Sequence, residues 1–309
     1  MKFTKVFIVI IIAGLLGFVY LFIPSRIVLS GSAVAHQSGN AVIRGFKQLD
    51  HWGEWLPAKD AISNTPYINQ SSFKITASSI ATVNGQCSLN EINVPLLFAV
   101  ESIGRDSAAF EYEATLNNKF MSPWKRITNY FLALTLKKEL NKITNQAANY
   151  YSTTKANYGF EIIEDRVKDS LLVTTEKDFT DTPSTAQVYS LISEVAQYVE
   201  KNNGLIQGYP MVNITKLDKT IFTQVGLPIQ KQIPTNDKFL LKKMVLGNIL
   251  KVKVVGDQNE VNKALLATEN YIHDNLRTSP AMPFVKYANN RLLMQDASKW
   301  VSFIYYPIY

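Results

Sequence analysis

The chain has 309 residues, of which 47% are hydrophobic and 18% are charged, and this balance excludes a disordered chain and a polytopic membrane protein. The net charge is +7, but Lys2, Lys5 and Arg26 flank one apolar run and supply three of those charges, which leaves +4 for residues 27–309. The charge therefore makes no case for nucleic-acid binding. The one cysteine, Cys87, excludes an internal disulfide and a cysteine-cluster metal site.

An apolar run opens the chain. Residues 6–24 carry no charge, and as a helix they would be about 28 Å long, which matches the hydrocarbon core of a bilayer. The run ends in large apolar residues and Pro24, whereas a cleaved signal peptide ends in small residues, so residues 1–26 are predicted to be an uncleaved anchor. Two lysines before the run and one arginine after it predict a single-pass protein of the inner (plasma) membrane, with a cytoplasmic N-terminus and an extracytoplasmic body.

The first half of the body, residues 27–157, is predicted to form an antiparallel sheet and two helices. Turn residues at Asn84-Gly85 and at 104–106 separate the later strands. The long last helix has an apolar side made of Ile127, Phe131, Leu134, Leu140, Ile143 and Ala147. The predicted strands are 26–34, 73–83, 86–94, 97–103 and 107–116, and the predicted helices are 39–49 and 127–151.

Two tryptophan-containing motifs flank this sheet. Trp52-x-x-Trp55-x-Pro57 follows the first helix, and Pro123-Trp124-Lys125-Arg126-Ile127 leads into the last one. With the order strand, helix, meander and long helix, they resemble the START-like polyketide cyclase/dehydrase (SRPBCC) superfamily. The resemblance implies a helix-grip fold with an apolar cavity for lipids or other hydrophobic molecules. Trp52 and Trp55 are candidates for lining the mouth of that cavity, and packing of the helix-to-strand corner is the alternative.

Catalytic and metal-binding candidates are few. Glu111, Tyr112 and Arg126 could flank the START-like cavity and serve an enzyme of the cyclase or hydrolase type, although Arg126 also fits a solvated helix start. His36 and His51 have no acidic or cysteine companions at ligand spacing, so no metal site is predicted. The chain has no phosphate-binding loop, serine elbow or zinc helix motif. No cofactor is predicted, and whether the protein is an enzyme stays open, with the balance toward no.

The second half, residues 158–309, repeats itself. Residues 198–202 are echoed by residues 271–275 at an offset of 73, and the same offset carries Pro210-Met211-Val212 onto Pro283-Phe284-Val285. Such self-similarity is typical of a duplicated structural unit. Each copy is therefore predicted to contain a strand, a helix and two further strands.

A second echo shows where the copies differ. Residues 226–229 match residues 305–308 at an offset of 79, so about six extra residues lie late in the second copy. The first copy is predicted to contain a strand over 170–175 and a helix over 183–202, with Thr182 as its N-cap. In the second copy the predictions are a strand over 250–255 and a helix over 258–276, opened by Gly256-Asp257.

The repeated half resembles the GyrI-like small-molecule-binding domain, also known as the AraC-type effector-binding domain. The matching residues are 198–204, 208–210, Gly256-Asp257, Pro283-Phe284-x-x-Tyr287 and 300–308. The resemblance implies a pseudo-twofold domain with a ligand groove along its axis. Where the family commonly has a glutamate after the Pro-aromatic pair, this chain has Val285, which cannot pair with a cation or move a proton.

The sequence thus predicts an α+β protein with a transmembrane anchor, a START-like domain and a GyrI-like domain. The leading hypothesis is a membrane-anchored protein that binds or senses a hydrophobic or aromatic small molecule or a lipid, with no nucleic-acid partner. An enzyme acting in the START-like cavity and a structural envelope protein are the alternatives. The candidate ligand-binding residues, for which core packing is the other interpretation, are Tyr209, Val285, Tyr287, Trp300, Tyr305, Trp52 and Trp55.

Overall fold

The computed structural model divides the chain into two compact units, 1–157 and 158–309. Each unit contains its own antiparallel sheet, and the two sheets have six and eight strands. The chain is thus a mixed α+β protein. The residues that the structure describes are 7, 13–14, 16–56, 67–68, 71–89, 92–167, 171–244 and 247–309.

The predicted membrane anchor requires a correction. Residues 6, 8–12 and 15 of the apolar run lie outside the described residues. Among the residues that are described, no helix combines the length and the apolar character that crossing a membrane requires. The prediction of a single-pass inner-membrane protein is therefore wrong, because an apolar run of suitable length is a necessary condition for a span and not a sufficient one.

The first unit consists of a six-stranded sheet and a long helix. The sheet has the order β1-β6-β5-β4-β3-β2, so the first strand pairs with the last across the unit. The elements in chain order are α1 (16–22), β1 (Arg26–Ala35), α2 (Gly39–Phe46), a 3₁₀ helix (Leu49–Glu54), β2 (Tyr67–Ile68), β3 (Ser71–Ser78), β4 (Thr82–Leu89), β5 (Ile92–Gly104), β6 (Ser107–Asn117), α3 (Pro123–Tyr151) and α4 (Thr154–Tyr158).

The predicted turn at Asn84-Gly85 lies inside a strand. Asn84 pairs with Leu97 and Gly85 pairs with Leu96 in the register of β4 with β5, and the turn before β4 falls at residues 79–81. The Asn-Gly pair favours a hairpin turn only as a local preference. Pairing on both sides of β4 overrides it, and a bulge between Ile75 and Ala77 on β3 absorbs the irregularity beside the glycine.

The buried side of α3 differs from the predicted one in its first half. Phe131 and Leu134 are exposed. Ala133 and Leu136 are buried instead, on the same side of the helix as Leu140. The first half of the helix carries apolar residues around much of its circumference. Because the spacing there fits two faces, the sheet decides which face is buried.

The second unit places two helices with an eight-stranded antiparallel sheet of order β11-β8-β10-β9-β13-β14-β12-β7. Its elements in chain order are β7 (Ile162–Arg166), β8 (Leu171–Phe179), α5 (Thr185–Lys201), β9 (Met211–Lys216), β10 (Ile221–Pro228), β11 (Leu240–Lys243), β12 (Asn248–Val255), α6 (Gln258–Asp274), β13 (Phe284–Tyr287), a 3₁₀ helix (Ala297–Lys299) and β14 (Val301–Ile308).

The duplication is visible in the sheet. The first copy contributes strands in the order β8-β10-β9, and the second contributes the equivalent strands in the reverse order, β13-β14-β12. The two copies meet at the seam where β9 pairs with β13. At that seam Val212 faces Val285, its own equivalent at the offset of 73. Val212 also pairs with Val225 and Val285 pairs with Ile304, so the last strands are related by the predicted offset of 79.

The two helices begin at equivalent residues with different caps. The Ser184 side chain accepts a hydrogen bond from the Gln187 backbone N–H, and the Gln187 side chain accepts one from the Ser184 backbone N–H. This reciprocal pair is a capping box at the start of α5. Asp257 caps α6 by accepting from the backbone N–H groups of Asn259 and Glu260. The predicted cap at Thr182 is wrong by two residues, because Ser184 is the residue whose side chain reaches the first turn.

Candidate functional site

The sheet of the second unit has two faces with different chemistry. Along β13, Val285 and Tyr287 point to the face that carries the helices, whereas Phe284 and Lys286 point to the other, since side chains alternate along a strand. The same alternation on β9 places Val212 on the helix face. The predicted site residues therefore divide between two faces of one sheet.

A groove of about 430 Å³ lies on the helix face, where the two copies meet. Ligand pockets in proteins typically have about 300–1,000 Å³, so the groove is large enough for a small organic molecule. Its floor is the Val212–Val285 pair at the seam, and α5 and α6 form its walls. The lining residues are Thr182, Pro183, Ser184, Thr185, Val188, Val212, Ile214, Lys216, Ile221, Gln258, Asn262, Leu265, Val285, Tyr287, Arg291 and Trp300.

Arg291 lines this groove as a buried cation, with a relative exposure of 6%. Its Nη1 donates to the Gln258 side chain at 3.1 Å, and its Nη2 donates to Ser302 Oγ at 2.7 Å. The guanidinium carbon lies 3.6 Å from the ring centroid of Tyr287 and 4.8 Å from that of Trp300. Arg291 is thus held by two neutral acceptors and two aromatic faces.

Burial shifts the pKa values of Arg291 and of the tyrosines around it. Desolvation lowers the pKa of Arg291, and the same cause raises the pKa values of Tyr287 and Tyr189. The positive charge of Arg291 opposes that rise in both tyrosines. Within the described part of the chain, the residues that line the groove include Lys216 as a second cation and no aspartate or glutamate. The groove is therefore cationic, with an apolar floor.

Arg291 reaches the groove from a loop that is longer in the second copy than in the first. The loop between β13 and β14 covers residues 288–300, whereas residues 217–220 connect the equivalent strands of the first copy. The Tyr189 hydroxyl accepts from the Arg291 backbone N–H at 2.8 Å and donates to the Asn289 carbonyl at 2.9 Å, which holds the loop against α5. Sequence reasoning missed Arg291, although the change of offset from 73 to 79 had located the insertion that carries it.

Three of the predicted site residues meet in this groove: Val285, Tyr287 and Trp300. Tyr209 and Tyr305 instead lie together on the opposite face, beside a cavity of about 330 Å³ that also contains Lys251. A neighbouring cavity of about 440 Å³ on that face is lined by three methionines, three prolines and aliphatic side chains, together with polar residues that include Gln224 and Lys242. Tyr305 stacks on Phe284 with ring centroids 5.2 Å apart, which is a packing contact.

Trp52 and Trp55 lie in the packed interior of the first unit. The void that they line together with Leu136 and Leu140 has about 10 Å³, which is room for about one water molecule. Trp52 Nε1 donates to the Phe46 carbonyl at 2.8 Å, and both indoles contact neighbouring aromatic rings. Their observed surroundings are those of core side chains.

Of the three candidates for catalysis in the first unit, Glu111 and Tyr112 line one cavity of about 380 Å³, and Arg126 does not. Glu111 is exposed, and the Tyr112 hydroxyl donates to Asn141 Oδ1 at 2.7 Å. Arg126 does not form the solvated helix start that its position also fits, because it is buried and donates to the backbone carbonyls of Ile23 and Lys119. Burial raises the pKa of Tyr112, which keeps its hydroxyl protonated.

No protein-family model matches the chain, and no curated protein matches it either. Among solved structures, the chain is similar to the C-terminal domain of EcmrR with a TM-score of 0.43 and 12% identity, over 48% of this chain and 98% of that one. SAV2435 bound to tetraphenylphosphonium gives a TM-score of 0.32 and 15% identity over 48% and 94% of the two chains. The ZhuI aromatase/cyclase from Streptomyces sp. R1128 gives a TM-score of 0.27 and 6% identity, over 40% of this chain and 92% of that one.

Proposed function

We propose that the second unit is a GyrI-like small-molecule-binding module and that its ligand lies in the groove on the helix face. The observation that carries this proposal is the 430 Å³ groove at the seam of the two copies, floored by the Val212–Val285 pair. The duplicated order of strands and helices supports the family assignment. Because Val285 carries no ionisable group, binding rather than catalysis is the activity proposed for the groove.

The ligand that fits the groove has an apolar body. Val188, Ile214 and Leu265 add to the valine floor, and Tyr287 and Trp300 close one end together with Arg291. Polar side chains lie both at the helix N-termini, as Thr185 and Gln258 do, and away from them, as Lys216 and Arg291 do, and such groups orient an organic molecule in a site. A molecule with an aromatic or aliphatic body satisfies this lining better than a sugar or a nucleotide does.

For the first unit, we propose START-like topology without assigning it a ligand. The support for the topology is a six-stranded sheet in which β1 pairs with β6 and both contact α3. The void of about 10 Å³ beside Trp52 and Trp55 leaves no room for a lipid. We therefore propose the groove of the second unit, and not this void, as the ligand site.

A neutral fluorescent dye tests the proposal without involving charge. Full-length protein is titrated with N-phenyl-1-naphthylamine, whose emission rises in apolar surroundings. The variant Leu265→Trp fills the groove from α6, and Leu266→Trp adds the same side chain on the exposed side of the same helix. We expect saturable binding to the unaltered protein, an affinity that is lower by roughly tenfold in Leu265→Trp, and no change in Leu266→Trp.

Two results would contradict the proposal. One is the absence of saturable dye binding to the full-length protein. The other is equal binding by both tryptophan variants, which would move the site away from the groove, for example to the methionine-lined cavity on the opposite face of the sheet. Circular dichroism of each variant checks that the fold is retained.

A further inference from the structure

We propose that the ligand of the groove is an organic anion, and that its carboxylate pairs with Arg291. This inference rests on the proposed function, because it names the chemical class of the ligand for the same site. The groove combines an apolar floor with two cations, Arg291 and Lys216, and no acidic side chain lines it among the residues that the structure describes. A molecule that neutralises the groove must bring its own negative charge.

The guanidinium of Arg291 has unused hydrogen-bonding capacity. An arginine carries five N–H donors, and the side chains of Gln258 and Ser302 take one each. Nε is buried and has no hydrogen-bond partner among the described residues. No carboxylate of the described chain makes an ion pair with Arg291, so its buried charge has aromatic faces and neutral oxygens as its only compensation.

Such an arrangement is costly without a ligand. A buried charge without a counter-ion is destabilising, and removing its compensation costs several kcal/mol in proteins generally. Arginine is the side chain best suited to bind a carboxylate, since its planar fork donates two parallel hydrogen bonds. Cation–π contact with Tyr287 and Trp300 fixes the plane of the fork before any ligand arrives.

The helix N-termini add to the positive potential. Thr185 at the start of α5 and Gln258 at the start of α6 both line the groove, and the N-terminus of each 17-residue helix carries partial positive charge. Asp257 already caps α6, so α5, capped by the neutral Ser184, contributes more. The helices reinforce the anion preference that Arg291 establishes.

The insertion explains why this groove has a cationic end. Arg291 and Trp300 belong to the loop 288–300, which has no equivalent of similar length in the first copy. The pseudo-twofold groove is therefore asymmetric, because its buried cation comes from the loop of one copy. An amphiphilic anion would bind in one orientation, with its carboxylate at this loop and its apolar body over Val212 and Val285.

Three naphthalene derivatives of the same size separate charge from shape. Full-length protein is titrated calorimetrically with naphthalene-2-carboxylate, naphthalene-2-carboxamide and naphthalen-2-ylmethylammonium. We expect the carboxylate to bind roughly tenfold or more tightly than the carboxamide, because hydrogen bonds to charged groups are the stronger ones. The ammonium compound is expected to bind most weakly of the three.

Variants assign the preference to Arg291. Arg291→Gln is expected to remove the difference between carboxylate and carboxamide, whereas Arg166→Gln, the same change at an exposed site on β7, is expected to retain it. If Arg291→Gln fails to fold, the tryptophan variants still locate the anion. Carboxylate binding that is lost in Leu265→Trp and kept in Leu266→Trp would place the anion in the groove.

The outcomes distinguish the two proposals. Equal affinity for carboxylate and carboxamide in the unaltered protein overturns the anion inference and leaves small-molecule binding intact. A preference that survives in a folded Arg291→Gln variant overturns the role of Arg291. If none of the three compounds binds and the neutral dye does not bind either, the proposed function fails and this inference fails with it.

Discussion

Arg291 and Lys216 give the groove its positive charge, and Val285 on its floor adds none. The sequence shows a valine at position 285, which has no charge to attract a cation. The repeat pattern could not predict the position of Arg291, because an inserted residue has no equivalent in the other copy. Only the fold shows that the loop 288–300 turns Arg291 inward over Tyr287.

Trp52 belongs to a motif that the sequence singles out, but its side chain packs in the core. Its motif suggested a cavity, but its indole donates to the Phe46 carbonyl from a site that is almost fully buried. Periodicity and motif spacing identify such a residue as important, but they do not separate packing from ligand contact. The difference depends on how completely Leu136 and Leu140 of α3 fill the space beside it.

We predict that Trp52→Phe lowers the free energy of unfolding by about 1–3 kcal/mol, because the buried Phe46 carbonyl loses its donor. Dye binding by the groove is expected to stay unchanged. Denaturant unfolding measures the first effect and fluorescence titration the second. Trp124→Phe is the matched control, since Trp124 is exposed and the change should stay within about 0.5 kcal/mol. A loss of dye binding in Trp52→Phe would place the ligand in the first unit instead.

At the scale of elements, the repeat was the most informative part of the sequence. Helices α5 and α6 begin and end at residues related by the offset of 73, and the strand pairing reproduces both offsets. Strand ends were less predictable. Asn84-Gly85 has the composition of a turn and lies in β4, because neighbouring strands supply hydrogen bonds on both sides.

The start of α5 supplies a prediction about a single element. Ser184→Ala removes the capping box and is expected to lower the free energy of unfolding by about 1 kcal/mol. Thr182→Ala, at the position that the sequence suggested as the cap, is expected to have almost no effect. Denaturant unfolding of the two variants makes the comparison. Equal destabilisation by both would show that the serine side chain is not the group that stabilises this helix end.

The whole molecule consists of two units, and the second has what an independent domain requires. Its buried cluster includes Val173, Val195, Val199 and Leu227, all from within the unit. At its beginning, the Tyr158 hydroxyl donates to the carboxylate of Asp274 at 3.1 Å, and β7 then covers the edge of β12. We therefore expect a fragment that begins at residue 158 to keep these contacts and to include β7.

We predict that the fragment 158–309 unfolds cooperatively and binds the neutral dye with the affinity of the full chain. A shorter fragment, 168–309, lacks β7 and leaves the edge of β12 unpaired, so it should be less stable and more prone to associate. A loss of about 1 kcal/mol corresponds to roughly 2–4 °C in Tm for a domain of this size, which calorimetry resolves. The groove lies away from the residues that pair with β7, so dye affinity should survive this truncation wherever the fragment stays folded. If the fragment 158–309 has no cooperative transition, the second unit depends on the first for its stability.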